Sequence, residues 1–296
     1  MFAKQIGRTM EVYVDDMLTK SLTAEEHAYN LRETFEILRE YEMKLNPEKC
    51  VFGVASGKFL GFLVYQRGIE ANLENIDALV KMKPPRMLKE FQRLTGWLVA
   101  LNRFIARSTD KCLPFFKAIK KGKGVEWTEE CDEAFHQLKT YLGKAPVLSK
   151  PLPNETLYLY LWVTDAATSS VLIREEKGVQ KPVYYVSKAL VAVETRYPDA
   201  EKMALALIVA ARKLRPYFQA HSIEILTNCP LKQILQKPEV SGKLTKWAIE
   251  LSEFDVSFRP RTAIKGQAVA DFIAEFTEPI IDVVFPTNAR EGNIYP

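Results

Sequence analysis

The run Leu157 to Val163, Leu-Tyr-Leu-Tyr-Leu-Trp-Val, is strongly apolar and stops at Thr164-Asp165. A short apolar run bounded by turn residues reads as a strand. Ser170 to Arg174 is a second such run, and the turn Glu175-Glu176-Lys177-Gly178 leads to a third at Pro182 to Val186, so the three predict an antiparallel meander. A helix is expected from about Pro198, with Ala204, Leu205, Ile208, Ala211 and Leu214 on its buried side and Glu201 in its first turns. Ile223 to Thr227 then reads as a fourth strand ending at Asn228. Helices follow from Pro230-Leu231 and over Thr245 to Leu251, then a fifth strand at Val256 to Phe258 and a last helix, Val269 to Phe276, containing Asp271. Strands first and then alternating helices and strands is an α/β order, with acidic residues at element ends where ligands converge.

The first half of the chain has another rhythm. Its most specific feature is Tyr13-Val14-Asp15-Asp16, two adjacent carboxylates between the apolar run Met10 to Val14 and Met17-Leu18. This reads as a hairpin whose tip is either a solvated turn or a concentration of hard oxygen ligands suited to Mg²⁺. Thr23 with Glu26 makes a capping box, and Ala28, Leu31, Phe35 and Leu38 follow at helical spacing. A strand pair is expected at Cys50 to Val54 and Phe59 to Val64, with a turn at Ser56-Gly57. Pro84-Pro85 breaks the next helix, beyond which Leu88, Phe91, Leu94, Leu98, Leu101 and Ile105 form an apolar stripe. Lys111, Lys117, Lys120, Lys121 and Lys123 crowd a short region with Phe115 and Phe116, and two readings stay open for them: a solvated face, or a groove tracking a phosphate backbone. Trp127-Thr128 starts a helix carrying Phe135, Leu138 and Leu142. Pro146, Pro151 and Pro153 place a boundary near residue 150.

Charge alone decides little, since 41 basic against 37 acidic residues leave only +4 over 296 residues. The four cysteines, Cys50, Cys112, Cys131 and Cys229, form no C-x-x-C pair, which argues against a zinc site or a disulfide framework. No signal-peptide core and no membrane-length apolar run is found, so an intracellular setting, cytoplasm or nucleus, is expected.

Taken together these motifs resemble the reverse transcriptase and ribonuclease H region of gypsy-type LTR retrotransposon polyproteins. Tyr13-Val14-Asp15-Asp16 resembles the polymerase palm signature, and Phe59-Leu60-Gly61 the hairpin that grips the primer end. Lys89-Glu90-Phe91-Gln92, Trp127-Thr128-Glu129-Glu130 and Lys144-Ala145-Pro146-Val147-Leu148 resemble the thumb and the start of the connection. Thr164-Asp165-Ala166, Glu201-Lys202 and Ala270-Asp271-Phe272 match three ribonuclease H carboxylate motifs in order.

The resemblance implies an α+β palm and thumb remnant, with the end of the palm over 1–75 and thumb and connection helices over 76–150. A ribonuclease H-like α/β domain with a mixed five-stranded sheet over 151–276 and a linker tail over 277–296 would follow. It implies Mg²⁺ or Mn²⁺ as cofactor, with Asp165, Glu201 and Asp271 as catalytic metal ligands and Asp15 and Asp16 as polymerase metal ligands. RNA–DNA hybrid would be the substrate, contacted through Lys117, Lys120, Lys121 and Lys123, and hydrolysis of its RNA strand the reaction.

The chain departs from the family at three places. The strand-end Thr-Asp reads Thr227-Asn228, which makes Asn228 a degraded fourth member of the catalytic set. The family's glycines are missing from Ala167-Thr168-Ser169-Ser170, read here as a shortened turn. Only 14 residues precede Asp15, so the remaining palm Asp and the fingers are expected from a separate chain or the rest of a polyprotein, and primer extension by this chain is not expected. The alternative function is a ribonuclease H-like module that binds nucleic acid without cutting it.

Overall fold

The computed structural model describes residues 1–120, 124–143, 147–236 and 242–261, and the chain divides into two compact units, residues 1–152 with 182–185 and residues 153–181 with 186–296. The helix predicted over Val269 to Phe276, with Asp271, lies outside the described residues, as do Lys121 and Lys123.

In the first unit, β1 (Met10–Tyr13) and β2 (Asp16–Thr19) form an antiparallel hairpin with Tyr13 opposite Asp16. The turn is Val14-Asp15, so Val14 belongs to it rather than to the strand. Val14 stands at φ 51°, a left-handed conformation that costs a β-branched residue on the order of 1–3 kcal/mol and is kept only where the surroundings impose it. Buried Met10 packs with Phe2 and with Leu38 of α1 (Ala24–Glu40), a helix capped by the Thr23 hydroxyl accepting the Glu26 N–H at 3.2 Å.

The strand expected at Cys50 to Val54 is not formed. The hairpin lies later, β3 (Ser56–Phe59) against β4 (Phe62–Tyr65), and β5 (Gly68–Ala71) follows. Leu60 and Gly61, both at positive φ (51° and 77°), supply the two left-handed residues that a tight two-residue hairpin demands, so Ser56-Gly57 is drawn into the strand instead. Helices α2 (Leu73–Lys81) and α3 (Leu88–Leu101) lie either side of Pro84-Pro85, and α3 buries Phe91, Leu94, Leu98 and Leu101 at the predicted spacing. Next come α4 (Ser108–Ala118), a two-residue pair β6 (Ile119–Lys120) with β7 (Gly124–Val125), α5 (Glu129–Leu142) and β8 (Leu148–Ser149), which pairs with β5. Trp127 stacks on Phe115 and meets Phe91 and Phe135 edge-on, which ties α3, α4 and α5 together.

The second unit is built on β9 (Leu157–Val163), β10 (Ala167–Glu176) and β11 (Val179–Ala189), with β12 (Ile223–Leu226) and β13 (Val256–Arg259), in the order β11-β10-β9-β12-β13. Strand β9 is antiparallel to β10 and parallel to β12, and β12 is parallel to β13, so the sheet is mixed and five-stranded. Ala167 to Ser170 is not a turn. It is the buried start of β10, with Thr168 opposite Val163, and the turn lies in Thr164 to Ala166.

Helix α6 (Asp199–Lys213) packs on β9 and β10 through Ala204, Leu207, Ile208 and Ala211, all 0% exposed, against a sheet face that includes Leu159 and Leu161. Burying each such leucine contributes about 1.5–3 kcal/mol, and the alanines let helix and sheet approach closely. Helices α7 (Arg215–Ala220), α8 (Leu231–Gln236) and α9 (Gly242–Leu251) complete the unit. Among the described residues no helix is long and apolar enough to cross a membrane.

Candidate functional site

Strands β9 and β12 run parallel and side by side, with Tyr160 level with Leu226, so Asp165 and Asn228 leave the sheet at the same carboxyl edge. In α/β sheets that edge is where ligands bind. The same device holds both residues. The Thr164 hydroxyl accepts the Ala166 and Ala167 N–H groups at 3.3 and 3.0 Å, and the Thr227 hydroxyl accepts the Cys229 N–H at 3.0 Å. Each Thr-Asx pair is thus a short turn in which threonine satisfies the backbone and the next side chain is presented to solvent. Asp165 and Asn228 are both exposed.

Their neighbours were not singled out by the sequence pattern. Lys202, one residue past Glu201 on α6 and only 4% exposed, carries its ammonium 3.2 Å from Asp165 Oδ1 and 3.6 Å from Asp199 Oδ1. Glu201 is engaged by Lys243 of α9 at 2.5 Å, and the same Nζ lies 3.4 Å from the centre of the Tyr197 ring. Asn228 Oδ1 accepts the backbone N–H of Arg261 at 3.1 Å, while the Arg261 guanidinium donates to the Leu161 carbonyl at 2.6 Å. Burial pushes the Cys229 thiol above its ordinary range, and the nearby Asp199 charge adds to the shift.

Two divalent ions about 3.5–4 Å apart need several anionic oxygens free to face them. Among the described residues the donor set by itself does not fit such a pair: Lys202 stands beside the otherwise fully exposed Asp165, Lys243 pairs with Glu201, and Asn228 offers a neutral amide that already accepts an N–H. No group of three or more His, Cys, Asp or Glu side chains able to hold a metal ion occurs among the described residues.

At the other candidate centre, Asp15 and Asp16 are exposed at the tip of the first hairpin and make no ion pair among the described residues. Lys117 is exposed at the end of α4, and Lys120 lies in β6.

A three-stranded meander followed by helix, parallel strand, helices and parallel strand, with Thr-Asx turns on one edge, defines an RNase H-like domain. The comparisons with known proteins agree. Residues 127–225 match the RNase H-like domain found in reverse transcriptase, and residues 1–64 match reverse transcriptase (RNA-dependent DNA polymerase). The chain is 27% identical over 286 residues to the retrovirus-related Pol polyprotein from transposon opus of Drosophila melanogaster, covering 92% of this chain and 28% of that protein. It is 26% identical to the transposon Tf2-3 polyprotein of Schizosaccharomyces pombe, covering 95% and 21%.

Among solved structures, the foamy viral protease-reverse transcriptase in complex with RNA/DNA hybrid shares the fold at a TM-score of 0.73 and 21% identity, covering 97% of this chain and 38% of that one. The foamy viral protease-reverse transcriptase dRH in complex with double-stranded DNA gives 0.73 at 22% identity, covering 86% and 46%. The two matched segments lie in the order reverse transcriptase and then RNase H-like. The chain spans about a quarter of the length of the curated relatives it matches.

Proposed function

We propose that this chain is the palm end, thumb, connection and RNase H-like portion of a gypsy-type retrotransposon Pol polyprotein, and that its RNase H-like domain engages RNA–DNA hybrid. Hydrolysis of the RNA strand in Mg²⁺ or Mn²⁺ is then slow or absent. One observation carries this reading: each of the three described site positions already has a partner within the chain, Lys202 beside the otherwise exposed Asp165, Lys243 on Glu201 and the Arg261 N–H on Asn228. Hybrid would be recognised through its A-like backbone and 2′-hydroxyls, with exposed lysines such as Lys117 supplying phosphate contacts.

The exposure of Asp165 at the carboxyl edge beside Asn228 favours a second reading, an active RNA–DNA hybrid ribonuclease. A labelled hybrid incubated with the chain in Mg²⁺ and in Mn²⁺, scored for both retention and RNA cleavage, separates the two. Retention with cleavage no faster than for Asp165→Asn supports the first. Cleavage that Asp165→Asn abolishes supports the second, and failure to retain hybrid at low salt contradicts both.

A further inference from the structure

Four hydrogen bonds fix the short turn that carries Asn228. The Thr227 N–H donates to the Arg259 carbonyl at 3.0 Å, and the Thr227 hydroxyl accepts the Cys229 N–H at 3.0 Å. Asn228 Oδ1 accepts the Arg261 N–H at 3.1 Å, and Arg261 is itself held by its guanidinium, which donates to the Leu161 carbonyl at 2.6 Å. The last ladder pair between β9 and β12 is Tyr160 with Leu226, so the Leu161 carbonyl lies just beyond that ladder. Because β12 lies between β9 and β13, Arg261 reaches across the end of β12 to take it. A backbone N–H can only donate, so it selects the amide oxygen of Asn228 and turns the Nδ2 amino group the other way. Asn228 is exposed, and its Nδ2 has no hydrogen-bond partner among the described residues.

An aspartate in the same turn, anchored through the same oxygen, would present a second acceptor to solvent, where a cation could meet it. Asparagine presents a donor instead, so Thr227-Asn228 reverses the hydrogen-bonding sense of the strand end as well as removing its charge. We propose that Asn228 is a preset hydrogen-bond donor to the sugar–phosphate backbone of bound nucleic acid, its Nδ2 meeting a phosphate or 2′-hydroxyl oxygen. The proposal rests on the hybrid-binding reading and adds the atom that makes one of its contacts. Side-chain amides make backbone contacts of this kind, which position a duplex without reading its sequence. Since Thr227 and Arg261 already hold the turn and the amide, little side-chain freedom is left to lose on binding. The donor is neutral, so its contact releases no counterion.

The test titrates the full chain, Asn228→Ala and Asn228→Asp against a labelled RNA–DNA hybrid and against duplex DNA of the same sequence, in EDTA and over a range of KCl. Asn228→Ala should weaken hybrid binding by about two- to tenfold, the range that one neutral hydrogen bond supplies, with the slope of log affinity against log salt unchanged. Asn228→Asp should weaken it further, because it keeps the Arg261 bond and turns an anionic acceptor toward the backbone. A loss confined to hybrid assigns the contact to a 2′-hydroxyl, and an equal loss on both duplexes assigns it to a phosphate.

Hybrid binding by Asn228→Ala or by Asn228→Asp as tight as that of the wild type overturns the proposal. So does a loss in Asn228→Ala that comes with a shallower salt slope, since charged contacts have then moved with the turn. Failure of the wild type to bind either duplex at low salt defeats the hybrid-binding reading and this contact together, whereas wild-type binding untouched by Asn228→Ala defeats the contact alone.

Discussion

Asn228→Asp is the substitution on which structure and chemistry make separable statements. The two side chains are nearly isosteric, and Asn228 is exposed, so no packing changes. Its Oδ1 already accepts the Arg261 N–H at 3.1 Å, and a carboxylate would keep that bond in charge-assisted form. A hydrogen bond to a charged acceptor is worth about 1.5–3 kcal/mol against about 0.5–1.5 for a neutral one, but exposure discounts the difference. Crowding with Asp165 acts the other way and is blunted by Lys202. The sequence alone, which shows only carboxylates, predicts a slight loss of stability; with these partners in place the change should stay within about 1 kcal/mol by urea denaturation. The chemistry should respond more strongly. Losing one electrostatic catalytic group costs on the order of 10²–10³ in rate, so restoring one should raise Mg²⁺-dependent hybrid cleavage by about 10². The assay compares wild type, Asn228→Asp and Asn228→Asp with Asp165→Asn on one labelled hybrid. Wild-type cleavage as fast as that of Asn228→Asp would refute the reasoning, and so would a gain that survives Asp165→Asn.

Two further outcomes follow from groups away from that edge. The bidentate Arg212–Glu250 contact holds Glu250 below the ordinary carboxylate value of 4.5, chiefly through the hydrogen bonds from Arg212. A depressed carboxylate contributes stability that is present above its unfolded pKa and lost as pH falls through the folded one, so Arg212→Met should cost about 0.5 kcal/mol at pH 7 and nothing near pH 2, by urea midpoints; an equal cost at both pH values would contradict the pair's role. Burial pushes Cys112 up to about 12, and Cys131 is buried, whereas Cys50 is partly exposed. A maleimide at pH 7.5 should therefore modify Cys50 in the native chain and reach Cys112 and Cys131 only after unfolding, as mass spectrometry would show.

Much of the second unit is written in local pattern. Leu157 to Val163 coincides with β9 because a wholly apolar run closed by Thr-Asp has no other stable environment than a sheet interior. The Thr23 cap and the α3 stripe were legible for the same reason, since each follows from side chains within one turn or one face. The errors arose where a turn had to be located. Ser56-Gly57 and Leu60-Gly61 both carry a glycine, and cross-strand pairing of Phe59 with Phe62 decides between them. Ala167 to Ser170 looked like a loop because its residues are small and polar, yet the register with β9 buries them. At the site, Asp165, Glu201 and Asn228 could be named from motifs. Lys202, Lys243 and Arg261 could not, because their partners lie 37, 42 and 33 residues away in sequence and only the fold brings them together.

The central claim is that the RNase H-like domain engages hybrid through its backbone while Asp165, Glu201 and Asn228 each have a partner within the chain. The most direct test is fluorescence anisotropy of the full chain with an RNA–DNA hybrid and with the same sequence as duplex DNA, in EDTA, from 50 to 200 mM KCl. Tighter binding of hybrid, with affinity for both falling steeply as salt rises, is the predicted result. Equal affinity for the two duplexes, or hybrid binding that appears only when Mg²⁺ is added, would contradict it.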